Sequence, residues 1–139
     1  MSSSYVSEAL RRRVAARAGE RCEYCKALRI ETYSTLQIDH IVSEQHGGLT
    51  AFANLALACR RCNLLKGPNL TSILPPLGDI VVLFNPRLDN WTDHFAVHAS
   101  GQIIGLTDTG KVTAQLLQFN TDPRVETRRM LYEEGYYAF

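Results

Sequence analysis

Four cysteines, arranged as Cys22-x2-Cys25 and Cys59-x2-Cys62 with 33 residues between the pairs, constrain this chain more than any other feature. Each short bite sets two thiolates at the angle a tetrahedral zinc ion demands, and two matched bites complete its shell. With four thiolate ligands the metal keeps no open position for water, so it is a structural staple and takes no part in hydrolysis. Disulfides and unliganded core cysteines are the competing readings. Both are disfavoured in a chain without an export signal, because thiols stay reduced inside the cell.

The chain carries no stretch that reads as a membrane span or a signal peptide. No uninterrupted apolar run, Ile80 to Phe84 included, approaches a bilayer span, and the opening Met1-Ser2-Ser3-Ser4 lacks the apolar stretch of a signal peptide. The expectation is a cytoplasmic protein with no membrane association. At 139 residues, 45% of them hydrophobic, the chain can bury one proper core but not two large ones. The formal charge of +1 hides an asymmetry: residues 1–70 carry 10 Lys/Arg against 6 Asp/Glu, net +4, and residues 71–139 carry 5 against 8, net −3. The first half is therefore the one to face a polyanion, although a solvated charged face gives the same count.

Periodicity places the elements. Val6, Leu10 and Val14 recur every four residues among Arg11, Arg12, Arg13 and Arg17, which predicts an amphipathic helix ending near Gly19. Its basic face can meet phosphate or water. Leu36 to Val42 reads as a strand, His46-Gly47-Gly48 as a loop, Leu55 to Ala58 as a second strand, and Arg60 to Lys66 as a helix stopped by Gly67-Pro68. Thr71 to Gly78 reads as a Pro-containing connector. Strands are expected over Ile80 to Phe84, Phe95 to Ala99 and Ile103 to Leu106, with Gly101 in a hairpin turn. Helices follow from Thr109, where Val112, Leu116 and Phe119 share a face, and from the N-cap pattern Asp122-Pro123.

Between the knuckles lie Asp39-His40-Ile41, Gly47-Gly48 and Asn54-Leu55-Ala56-Leu57, followed by Cys59-Arg60-Arg61-Cys62-Asn63-Leu64-Leu65-Lys66-Gly67. This succession, over roughly residues 20–68, resembles the HNH endonuclease motif inside a four-cysteine zinc frame, and the combination is far more specific than any one part. The resemblance implies a ββα-metal fold in which two antiparallel strands and a helix hold one divalent cation against a scissile phosphate. By the same resemblance His40 is the general base, Asn54 orients it, and Asp39 and Asn63 hold the catalytic cation. Asn63 stands where most members carry histidine, which makes this an HNN variant; its amide oxygen is a harder ligand than imidazole and favours Mg2+ or Mn2+. The implied activity is hydrolysis of DNA to a 5′-phosphate and a 3′-hydroxyl.

The chemistry is coherent. A cation on Asp39 and Asn63 neutralises charge on the phosphoryl transition state, and an imidazole accepts a proton near neutral pH. Adjacent residues of a strand point to opposite faces, so a twist or bulge is expected to bring Asp39 and His40 together. Lys66, Arg60 and Arg61 are the candidate anchors for DNA phosphates. Taken singly, Asp39-His40 reads as a surface pair and Asn54 and Asn63 as turn or cap residues. His46 reads as a loop histidine, with approach to the metal or the leaving oxygen as the alternative. His94 and His98 are expected on one face of a strand, as packing or surface residues. Trp91, Phe95 and Tyr136-Tyr137-Ala138-Phe139 can stack on bases, but core or tail packing is the preferred reading.

The expected architecture is α+β: an N-terminal helix and a zinc-stapled ββα-metal nuclease core over residues 1–70, then a β-rich and helical segment over 71–139, packed on the core and of no assigned role. Structural Zn2+, a catalytic Mg2+ or Mn2+ and DNA are the expected cofactors and partner. A non-catalytic zinc-bound nucleic-acid-binding module is the main alternative, and a protein-interaction zinc domain a third. Nothing in the sequence speaks to oligomeric state.

Overall fold

The computed structural model describes residues 5–29 and 36–139. Met1 to Ser4, expected to lack the apolar stretch of a signal peptide, lie outside them. The chain divides into two compact units, one running to Leu70 and including Asn85–Arg87, the other comprising Thr71–Phe84 and Leu88–Phe139. Helices and small antiparallel sheets make it an α+β protein, and no helix among the described residues is long and apolar enough to cross a membrane.

The first unit begins with helix α1 (Glu8–Arg17). Ser7 caps it, its hydroxyl accepting from the Leu10 amide at 3.1 Å, and Glu8 and Arg17 sit at the ends where the helix dipole favours their charges. Val14 is fully buried, which contributes about 1.5–3 kcal/mol. The helix packs against strand β2 (Leu55–Ala58), which pairs antiparallel with β1 (Gln37–His40). Helix α2 (Arg60–Lys66) follows and packs on both strands.

The hairpin register decides which side chains α2 meets. Gln37 lies opposite Ala58 and Asp39 opposite Ala56, whereas Ile38 lies opposite Leu57 and His40 opposite Leu55. Directly paired residues share a face. The α2 face therefore carries Gln37, Asp39 and two alanines, whose small side chains let the helix come close, and the other face carries His40 with two buried leucines. Pairing is continuous from Gln37 to His40, so the expected irregularity at Asp39-His40 is absent and ideal alternation holds.

In the second unit, β3 (Thr71–Leu74) pairs with β4 (Asp79–Val82), so the stretch from Thr71 read as connector is half strand and half turn. The two prolines, Pro75 and Pro76, fall in the turn, where no ladder amide is needed. A short helix α3 (Trp91–His94), absent from the sequence reading, leads into the hairpin β5 (Phe95–Val97) and β6 (Ile103–Gly105). Helices α4 (Asp108–Leu116) and α5 (Asp122–Glu133) complete the unit. Phe95, Ile103, Val112, Leu117 and Phe119 are its sealed core, with Trp91 4.9 Å from the Phe95 ring. Buried Arg128 ties α5 inward through the Gly101 carbonyl at 2.7 Å and the Phe119 carbonyl at 2.9 Å. Trp91 and Phe95 are thus packing residues.

Candidate metal centre and histidine loop

The four cysteine sulfurs lie within 4.8 Å of one another, and all four residues are buried. Zinc–sulfur bonds of about 2.3 Å place tetrahedral sulfurs about 3.8 Å apart. Cys25 Sγ and Cys59 Sγ are 3.8 Å apart, so the donor set fits such an ion in number, kind and size. The Cys25 amide donates to Cys22 Sγ at 3.5 Å and the Cys62 amide to Cys59 Sγ at 3.4 Å, contacts that favour thiolate. Burial first, and then contact with the neighbouring cysteines, pushes the Cys22 and Cys62 thiols well above their ordinary pKa, so a bound cation is what would favour their thiolate forms as ligands.

The cage fastens to the hairpin. The Glu23 amide donates to the Leu57 carbonyl at 2.8 Å, and the Leu57 amide donates to Glu23 Oε2 at 2.9 Å, so the first knuckle caps the outer edge of β2. Arg87 pairs with the same nearly buried Glu23 from 64 residues along the chain. Sequence reasoning gave Asn85-Pro86-Arg87 no role, and no local signal marks such a distant ion pair.

His40 is the last residue of β1, and its Nε2 lies 2.9 Å from Thr50 Oγ1. The intervening loop is closed by Asn54. Its Oδ1 accepts from the Val42 amide at 3.0 Å, and its Nδ2 donates to the Val42 and Leu49 carbonyls, each at 2.9 Å. The paired glycines are both required. Gly47 has φ +86°, and a Cβ on Gly48 would stand 1.7 Å from the Val42 carbonyl oxygen and 2.9 Å from Asn54 Nδ2. Arg17 reaches across from α1 to donate to the Phe52 carbonyl at 2.7 Å and to the Leu55 carbonyl, its guanidinium 3.8 Å over the Phe52 ring. Part of the basic face of α1 thus braces the segment carrying Asn54. The contact between Thr50 and His40 was not foreseen, because a threonine in a loop has no periodicity to mark it.

On the α2 face, Asp39 is almost sealed from solvent. Its Oδ2 accepts from the Tyr24 hydroxyl at 2.6 Å and lies 3.3 Å from Lys66 Nζ. Burial pushes the Asp39 carboxyl above its ordinary pKa, against the pull of Lys66 and Tyr24. Asn63 Nδ2 donates to Gln37 Oε1 at 2.8 Å. Asp39 Oδ1 and Asn63 Oδ1 make no hydrogen bond among the described residues, and two such oxygens suit a hard divalent cation. Asp39 and Asn63 thus share a face, while His40 points from the other.

Lys66 corrects the expectation of a phosphate anchor. It is buried, and its ammonium donates to the Ile41 carbonyl at 3.0 Å and the His40 carbonyl at 3.3 Å, where no phosphate can reach it. Arg60 and Arg61 are exposed on α2. His46 is exposed at the end of a single 3-10 turn. His94 ends α3 and lies 2.6 Å from Thr107 Oγ1, whereas His98 pairs with Ser100, so the two do not share a strand face.

Residues 22–69, which hold both knuckles and every residue of the histidine loop, match the family model for HNH endonuclease. No curated protein and no solved structure matched the chain.

Proposed function

We propose, from the HNH endonuclease pattern of residues 22–69, that this protein is a metal-dependent endonuclease acting on DNA. The observation that carries the reading is His40: a half-buried imidazole at the end of β1, held by Thr50 and by a loop that Asn54 closes, inside a four-cysteine frame. Such a side chain is preorganised to take a proton from water as it attacks a phosphodiester.

In this mechanism His40 removes a proton from water, the water oxygen attacks phosphorus, the bond to the 3′ oxygen breaks, and that oxygen takes a proton from solvent. The products are a 3′-hydroxyl and a 5′-phosphate. Asp39 and Asn63 would hold a divalent cation, Mg2+ or Mn2+, which would supply Lewis-acid charge to the phosphoryl group. Because His40 and the Asp39 and Asn63 side chains lie on opposite faces of β1, the scissile phosphate has to bridge them at the end of the strand, and the nearly sealed Asp39 has to open to it. Tyr24 and Lys66 fix the Asp39 carboxylate through Oδ2 and leave Oδ1 for the cation. Arg60 and Arg61 steer the backbone by charge, without reading sequence. The zinc cage holds the geometry and does no chemistry.

Supercoiled plasmid incubated with Mg2+ or Mn2+ tests the proposal. We expect wild-type protein to nick it, and His40→Ala, at equal zinc content and equal DNA affinity, to be slower by about 10²–10⁴-fold, the usual contribution of a general base. Equal binding with no cation-dependent nicking in either protein would establish the non-catalytic module instead.

A further inference from the structure

Thr50 is the one side chain that touches the His40 ring by hydrogen bonding among the described residues, at 2.9 Å between Oγ1 and Nε2. Asn54, the residue expected to orient the ring, binds only backbone: the Val42 amide and carbonyl and the Leu49 carbonyl. The Leu49 carbonyl belongs to the peptide unit that leads directly into Thr50. Asn54 therefore fixes the position of Thr50, and Thr50 is what meets the imidazole.

We infer that Thr50 is a positioning residue that selects the tautomer of His40, accepting a hydrogen bond from Nε2–H so that the lone pair lies on Nδ1, facing the attacking water. The inference rests on the nuclease reading, because only a base needs a free lone pair. A neutral imidazole carries one proton, on one nitrogen or the other. Were Nδ1 protonated, Nε2 would spend its lone pair on the Thr50 hydroxyl and neither nitrogen would be open to water. With the proton on Nε2, the bond to Thr50 is kept and Nδ1, which has no hydrogen-bond partner among the described residues, is the acceptor. A hydroxyl serves here because it can accept this bond without bringing charge to the ring.

Two variants test this. Thr50→Val keeps the shape of the side chain and removes the oxygen; Thr50→Ser keeps the oxygen. Zinc content and circular dichroism of both are compared with wild type to establish folding. Nitrogen-15 imidazole correlation spectra at a pH where His40 is neutral then read the tautomer directly, without any turnover. We expect a single Nε2-protonated form in wild type and in Thr50→Ser, and a mixture in Thr50→Val. Cleavage at saturating DNA is expected to fall about tenfold in Thr50→Val with KM unchanged, which is what one hydrogen bond is worth, and to be restored in Thr50→Ser. An Nδ1-protonated wild type, or an unchanged tautomer and rate in Thr50→Val, overturns the role of Thr50 while leaving nuclease activity standing. A wild type with the expected tautomer that cuts no DNA overturns the nuclease reading, and the assignment of Thr50 with it.

Discussion

Lys66 Nζ lies 3.3 Å from Asp39 Oδ2, and both side chains are almost wholly withdrawn from solvent. This pairs a helix residue with a strand residue through the interior of the first unit, and Tyr24, from between two cysteine ligands, donates to the same carboxylate oxygen at 2.6 Å. Removing the cation leaves a sealed carboxylate without its counter-charge. We expect Lys66→Met to cost about 3–5 kcal/mol in urea unfolding, and Lys66→Met with Asp39→Leu to recover much of that loss. A Lys66→Met protein as stable as wild type would mean that the pair is open to water in solution.

The same burial keeps Lys66 from contact with a phosphate on any bound DNA. Affinity for duplex DNA measured against salt concentration is expected to lose about one unit of log–log slope for each of Arg60→Ala and Arg61→Ala. The slope should be unchanged in Lys66→Met at temperatures where that variant is folded. A smaller slope in Lys66→Met alone would return the lysine to the phosphate contacts.

Zinc removal should unfold the first unit. Metal capture of this kind carries about 10–16 kcal/mol in zinc-finger peptides. That rivals the whole stability of a domain, about 5–15 kcal/mol. Cys25→Ser is expected to lower bound zinc from one ion per chain towards none, with loss of the amide resonances of β1 and β2. Unchanged spectra in a chelated, reduced protein would show that the cage is dispensable.

Asn54 closes the histidine loop with three hydrogen bonds to two residues. Asn54→Ala should leave the Val42 amide unpaired, at a cost of about 1–3 kcal/mol, and speed its hydrogen exchange by at least about tenfold. Asn54→Asp retains the acceptor for Val42 and should protect that amide partially. Equal exchange rates in all three proteins would place the closure of the loop elsewhere.

Much of the first unit was legible in advance for a physical reason: its signals are local. The bite of a Cys-x2-Cys knuckle, the β-rich stretch from Leu36 to Val42, and the glycine that ends α2 are all set within a few residues. What escaped the reading depends on partners far apart in sequence. Lys66 looked like a surface cation because lysines usually are, and its burial follows only once Asp39 and Tyr24 are folded beneath it. Arg87 and Glu23 likewise meet only in the folded chain. The irregularity expected at Asp39-His40 came from asking two adjacent side chains to converge, which the regular pairing of β1 and β2 does not allow. In the second unit, the prolines of Pro75-Pro76 masked β3, because they sit in its turn and not in its ladder.

The central proposal is that one small scaffold carries two kinds of metal position, a closed cage of sulfurs and the paired side-chain oxygens of Asp39 and Asn63 on the α2 face. Crystals soaked in Mn2+ and measured at the manganese absorption edge test it most directly. We expect an anomalous peak within bonding distance of Asp39 Oδ1 and Asn63 Oδ1, distinct from a zinc peak among Cys22, Cys25, Cys59 and Cys62. A peak at the cysteines alone, with Asp39 still bound only to Lys66 and Tyr24, would contradict it.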